Sequence, residues 1–206
     1  MSNLSHKESE GVCLWFTGLP SSGKTTVAKL VEKKLLNQGE RVERLDGDVV
    51  RQSLTADLGF SRRDRDKNIA RVAFVAKMLQ RNDVITLSSF ITPYRAQRDH
   101  VRNTVDDVRI VHVECPVDVC IERDPKGMYA KAQAGEIEGF TGIDAPYEKP
   151  VTPDLCLYTH EESIEESADR VIVYLAREAF LSNAENLPIE EEEETLKEHL
   201  QKMGYI

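Results

Sequence analysis

"VCLWFTGLPSSGKTT", residues 12–26, decides how the rest of the chain is read. Its first half is a short apolar run with β-branched and aromatic residues that feeds straight into Gly18, the pattern of a buried strand. Its second half is Gly18, four residues, then Gly23-Lys24-Thr25, which is the G-x-x-x-x-G-K-[ST] pattern. Beyond it Val27, Leu30, Val31 and Leu35 recur at helical spacing up to a stop signal at Gly39. The motif thus stands between a strand and a helix, where its chemistry requires it. Glycines let successive backbone N–H groups converge on the β- and γ-phosphates of a nucleoside triphosphate, and the helix N-terminus adds its dipole. Lys24 supplies a point charge, and the Thr25 hydroxyl can ligate Mg²⁺. Gly18, Leu19, Pro20, Ser21, Ser22, Gly23, Lys24, Thr25 and Thr26 are therefore the expected cradle. The motif speaks for binding and leaves open where the γ-phosphate goes.

Working outward, "RVERLD" (41–46), "VITLSSF" (84–90), "VRIVHVEC" (108–115) and "DLCLYT" (154–159) read as further strands, the last limited at its start by Pro153. Ser61 with Asp64 opens a helix in the capping-box manner, and Ile69, Val72, Ala73, Ala76 and Leu79 give it one apolar stripe to about Gln80. "RVIVYL" (170–175) resembles a strand in isolation. Its surroundings overrule that: Ile164, Ala168, Val171, Ile172, Leu175 and Ala179 share a helical face, and Ser163 with Glu166 caps it. Strands alternating with helices predict an α/β fold, a mostly parallel central sheet covered on both sides. Residues 123–153 show no periodicity and are rich in glycine and proline, which reads as a functional lid inside a domain spanning 12–181. Residues 1–11 read as a loose arm. Residues 182–206 read as an acidic extension, with "EEEEE" (190–194) and a short helix carrying Leu196, Leu200 and Met203.

A net charge of −9 over 206 residues argues against a nucleic-acid partner, which needs a basic face. No segment approaches the ~20 apolar residues that span a bilayer. The N-terminal residues hold no apolar stretch of signal-peptide length, so a cytoplasmic protein without a membrane partner is expected. Cys13, Cys115, Cys120 and Cys156 show no C-x-x-C spacing, and most sit in apolar runs where Cys packs as a small hydrophobe. Neither a disulfide nor a zinc site is expected from that spacing.

The acceptor of the phosphoryl group has to be sought elsewhere. "LDGD" places Asp46 and Asp48 at the carboxyl end of the second strand, the edge where open α/β sheets bind ligands. A carboxylate there can serve a metal or accept the proton of an attacking hydroxyl; a plain Asp-Gly turn fits the same letters. In "GFSRRDRDKNIAR", Arg65 and Asn68 share a helical face. With Arg51 and Phe60 they suit an anionic, ring-bearing acceptor, against the alternative of ordinary surface charge. "VITLSSF" ends without the aspartate that many P-loop ATPases use for their metal, which favours a small-molecule kinase over a motor or transporter.

The phosphate loop, "LDGD", "DLGFS..DR..NI.R", "SFITPYR", "RDPKGMY" and "FTGIDAPYE" occur in the order found in adenylyl-sulfate kinases, and over about residues 12–175 the chain resembles that family. The resemblance implies the P-loop kinase three-layer sandwich with a lid. It implies transfer from MgATP to the 3′-hydroxyl of adenosine 5′-phosphosulfate (APS), in sulfate activation. Carried over by position, Arg51, Arg65 and Asn68 would hold the phosphosulfate end of the acceptor. Phe60 and Phe140 would sandwich its adenine beside Ile91, and Lys126 would reach it from the lid. Arg123 would border the ATP adenine. Lys24, Asp46 and Asp48 would be catalytic, Asp46 near the acceptor hydroxyl and Asp48 with Thr25 at the Mg²⁺. The family often forms dimers, so a homodimer is implied too. Thr92 occupies the family's candidate phospho-site, but many members have Ser there, and in-line transfer needs no covalent intermediate where positioning and charge neutralisation are supplied. A nucleoside monophosphate kinase and a nucleotide-bound regulatory module remain the rival readings.

Overall fold

The computed structural model describes residues 11–181. The arm, apart from Gly11, and the acidic extension with its expected helix lie outside the described residues. Five strands, β1 (Cys13–Thr17), β2 (Val42–Asp46), β3 (Ile85–Ser89), β4 (Val108–Glu114) and β5 (Leu155–Tyr158), form one sheet in the order β2-β3-β1-β4-β5. Every pairing is parallel. Parallel neighbours need long crossovers, and the helices supply them. These are α1 (Lys24–Asn37), α2 (Gly47–Gln52), α3 (Arg62–Gln80), α4 (Arg95–Thr104), α5 (Val117–Arg123), α6 (Met128–Gln133) and α7 (Ile164–Arg177).

The unbroken apolar run at the head of the sequence becomes the central strand because both of its faces are covered. Val12, Leu14 and Phe16 meet Val27, Val31 and Leu35 of α1 and Ala168, Val171 and Leu175 of α7. Cys13 and Trp15 point the other way, onto Ile69, Val72, Ala73 and Ala76 of α3 and Val101 of α4. Leu14 is fully buried, so Leu14→Ala should cost about 2–5 kcal/mol. Of the apolar stripe expected on α3, Ile69, Val72, Ala73 and Ala76 are buried and Leu79 is half-buried. The capping box of α7 is also present: Ser163 Oγ accepts from Glu166 N at 3.1 Å, and Glu166 Oε2 accepts from Ser163 N at 2.7 Å.

The stretch 123–153 is not without helix. α6 starts after Gly127, whose φ of 64° closes the preceding turn, and Asp124 accepts from the N–H groups of Met128 (2.9 Å) and Ala130 (3.0 Å). Six residues are too few to display an apolar period, which is why the sequence did not show it. Cys115, Cys120 and Tyr129 bury a small third core here, with Leu19 and Phe140 packed at its border. This core seats the 123–145 stretch against the phosphate loop.

Candidate active site

The cradle forms where β1 ends and α1 begins. A Cβ on Gly18 would lie 2.5 Å from the Val113 carbonyl and 2.8 Å from Ser22 Oγ, so no side chain fits. Gly23 caps α1 at φ 94°, the left-handed region that glycine enters without cost. Lys24 is 8 % exposed, and its ammonium donates to the carbonyls of Gly18 (3.1 Å) and Leu19 (2.6 Å). Burial lowers its pKa to about 8. Thr159, at the end of β5, donates to the Ser22 carbonyl at 2.7 Å, and Arg123 donates in turn to Thr159 Oγ1 at 3.3 Å and to its carbonyl at 2.5 Å. Arg123 thus sits at the outer wall of the cradle. Tyr129 of α6 donates to the Pro20 carbonyl at 3.1 Å, tying the 123–145 stretch to the same loop.

The two carboxylates of "LDGD" part company in the fold. Asp46 is buried: its Oδ2 accepts from Thr25 Oγ1 at 2.8 Å and lies 3.6 Å from Arg44 Nη1. Its Oδ1 caps α2 by accepting from Asp48 N at 3.0 Å. The Asp48 side chain is 65 % exposed and pairs with Lys126. Of the two carboxylates, Asp46 and not Asp48 reaches the Thr25 hydroxyl.

On the acceptor side the guanidinium carbon of Arg51 lies 4.3 Å from the centroid of the Phe60 ring. Arg51 also donates to the carbonyls of Leu58 and Gly59, and burial with the neighbouring Arg65 lowers its pKa. Arg65 donates to Phe60 O (2.9 Å), Gly139 O (2.7 Å) and Thr141 Oγ1 (2.9 Å). One guanidinium thereby clamps the backbone of one aromatic to the residues on either side of the other. Among the described residues three of its five N–H donors are used, which leaves two for an anion. Phe140 meets Tyr129 edge-on at 5.0 Å, and its N–H, like that of Gly139, is held at 2.6 Å by Asp144.

Asn68 is 4 % exposed, and its Oδ1 has no hydrogen-bond partner among the described residues. An orphaned buried acceptor costs about 1–3 kcal/mol, a cost that a ligand donor would relieve. Ile91 contributes its carbonyl, which accepts from Thr17 Oγ1 at 2.7 Å. Thr92 is 2 % exposed, and its hydroxyl accepts from Trp15 Nε1 at 2.9 Å. It also adopts φ 43°, a rare conformation for a β-branched residue. Its hydroxyl serves as a buried acceptor for the indole N–H. Tyr129, Thr141, Asp144 and Thr159 were missed by sequence reasoning. The signal was in the family motifs: "RDPKGMY" ends in Tyr129, and "FTGIDAPYE" carries Thr141 and Asp144.

A phosphate loop at the carboxyl edge of a five-stranded parallel sheet, opening toward a second set of carboxylates, guanidinium groups and aromatics, places the chain among the P-loop kinases. Residues 10–158 match the family model described as Adenylylsulphate kinase, and the chain belongs to that family. It is 53 % identical over 181 residues to an adenylyl-sulfate kinase of Halothermothrix orenii, covering 88 % of this chain and 98 % of the relative. It is 59 % identical over 165 residues to a probable adenylyl-sulfate kinase of Pseudomonas aeruginosa, covering 80 % and 77 %. Among solved structures, the Mycobacterium tuberculosis APS kinase CysC in complex with AMPPNP and APS superposes with a TM-score of 0.78 at 45 % identity, covering 81 % of this chain and 98 % of that one.

Proposed function

We propose that this enzyme transfers the γ-phosphoryl group of ATP to the 3′-hydroxyl of APS, giving 3′-phosphoadenosine 5′-phosphosulfate and ADP. The observation that carries this reading is the Arg65 clamp, which holds Phe60 and the Phe140 segment on the acceptor side of a phosphate loop. Two aromatics so held suit a nucleobase, for which stacking is worth roughly 1–3 kcal/mol. Arg51 and the two free donors of Arg65 suit the anionic end of the same molecule.

Thr25 Oγ1 and Asp46 Oδ2, 2.8 Å apart, fit two neighbouring positions of a magnesium shell, whose oxygens sit at ~2.0–2.1 Å from the ion and hence ~2.9 Å from each other. When bound with ATP, Mg²⁺ neutralises charge on the phosphates. The protein's own part is positional and electrostatic. Backbone N–H groups of Ser21, Gly23, Lys24 and Thr25 orient the phosphates, and Lys24 leaves its carbonyl partners to follow the γ-phosphoryl. Asp48, whose exposed carboxylate pairs with Lys126, receives the proton of the attacking hydroxyl. Lys126 then balances the acceptor's charge.

The test is MgATP-dependent phosphorylation of APS beside AMP, with products identified by mass. A 3′-phosphorylated product from APS and little from AMP is expected. Transfer to AMP alone would make the protein a nucleotide kinase instead.

A further inference from the structure

On the same sheet, away from the Thr25–Asp46 pair, the parallel register of β4 and β5 assembles a second group of donor atoms. His112 stands directly opposite Cys156, and Glu114 follows on the same face of β4. Val111, Val113 and Leu157 take the opposite face, in the core with α1 and α7. His112 Nδ1 lies 3.3 Å from Glu114 Oε2 and 3.8 Å from Cys156 Sγ, and all three donor atoms fall within 4.8 Å of one another. The imidazole is buried, while the carboxylate and thiol are partly exposed. Tyr147 stacks on the ring, with centroids 5.9 Å apart, and anchors its hydroxyl on Thr17 Oγ1 at 3.0 Å.

We propose that His112, Glu114 and Cys156 form a three-ligand site for a thiophilic divalent cation of the zinc class, separate from the magnesium of the phosphoryl transfer. The distances favour it. Bonds of ~2.0–2.1 Å to nitrogen and oxygen and ~2.3 Å to sulfur, set tetrahedrally, require about 3.3 Å between N and O and about 3.6 Å between N and S. The separations from His112 Nδ1, 3.3 Å to the carboxylate and 3.8 Å to the thiol, match to within a few tenths of an ångström, and the carboxylate and thiol lie within 4.8 Å of each other. Imidazole, thiolate and carboxylate together suit zinc and disfavour Mg²⁺, which takes oxygen ligands. Glu114 Oε1 pairs with Lys149, which leaves Oε2 aimed at His112. That is the outer support a ligating carboxylate usually has. Linear spacing gave no hint of this site, because its ligands come from two strands more than forty residues apart. Bound, the cation would clip edge strand β5 to β4 beneath the Tyr147 segment.

The experiment uses the full chain, reduced and treated with chelator, and titrates it with Co²⁺ while recording absorbance. The expected result is one Co²⁺ per chain with a thiolate-to-cobalt charge-transfer band, displaced by Zn²⁺ and not by Mg²⁺. Cys156→Ser should abolish the band, and His112→Gln should weaken metal binding at least about tenfold. Cys115→Ser and Cys120→Ser should retain both. Cys156→Ser is nearly isosteric, so its fold, checked by circular dichroism, is not at issue. Absence of a stoichiometric band in the unmodified protein, or its survival in Cys156→Ser, would overturn the proposal.

Discussion

Exchanging each carboxylate of "LDGD" for its amide separates the two roles assigned to them. In Asp46→Asn the cap on α2 survives, since Asn caps as well as Asp. The lost charge acts on Thr25 and Arg44, so a stability loss of about 1–2 kcal/mol is expected, small enough to keep the protein folded. The effect on Mg²⁺ is larger. Losing partners that only support a metal ligand costs 10–100-fold, and a carboxylate placed to touch the ion should reach the upper end. The Mg²⁺ concentration for half-maximal rate should therefore rise about 100-fold, equivalent to ~2.8 kcal/mol. Asp48→Asn removes only a pair whose side chains are 61 % and 65 % exposed, so stability should stay within about 0.5 kcal/mol. Its kcat should fall by roughly 10²–10⁴, with the Mg²⁺ dependence unchanged. Coupled ADP release, measured against free Mg²⁺ at saturating ATP and APS, reads both. Wild-type Mg²⁺ dependence in Asp46→Asn would refute the assignment, and a shifted dependence in Asp48→Asn would invert it.

Lys24 titrates at about 8 because it is buried, so the charge that phosphates need is present below that pH and lost above it. kcat/KM for ATP should fall as pH rises through about 8, while kcat at saturating ATP persists higher because bound phosphates hold the proton. Stability runs the other way, rising from this group between about 8 and its ordinary 10.5; a flat kcat/KM profile would remove the charge from the binding step. Phe140→Ala should raise KM for APS by about 5–150-fold and leave KM for ATP unchanged, which steady-state kinetics with each substrate varied will show. Thr92→Val should strand the Trp15 indole N–H and lower stability by about 1–3 kcal/mol in urea unfolding, without the loss of turnover that removing a phosphoryl carrier would bring.

How much of this was legible depends on the distance over which each feature is encoded. The phosphate loop, the stripe of α3 and the capping box that turns "RVIVYL" into helix are written within a few consecutive residues, where backbone geometry and side-chain period act directly. α4 was not legible. Val101 is its one buried apolar side chain, and its other buried residues, Gln97 and Arg98, are satisfied by Asp66 at 2.7 Å and the Thr92 carbonyl at 2.6 Å. No period announces a helix held that way.

By itself the sequence determined that a triphosphate cradle joins a buried strand to a helix, and it carried the family's motifs in order. Only the tertiary structure decided that Asp46 rather than Asp48 meets Thr25, and that Arg65 spans from Phe60 to Gly139 and Thr141. It alone brought Cys156 to His112. These contacts cross 2 strands or as many as 76 residues of chain, and strand order and register set them. Local propensity cannot encode which of two neighbouring carboxylates will face a loop twenty residues away; the packing of the crossovers does.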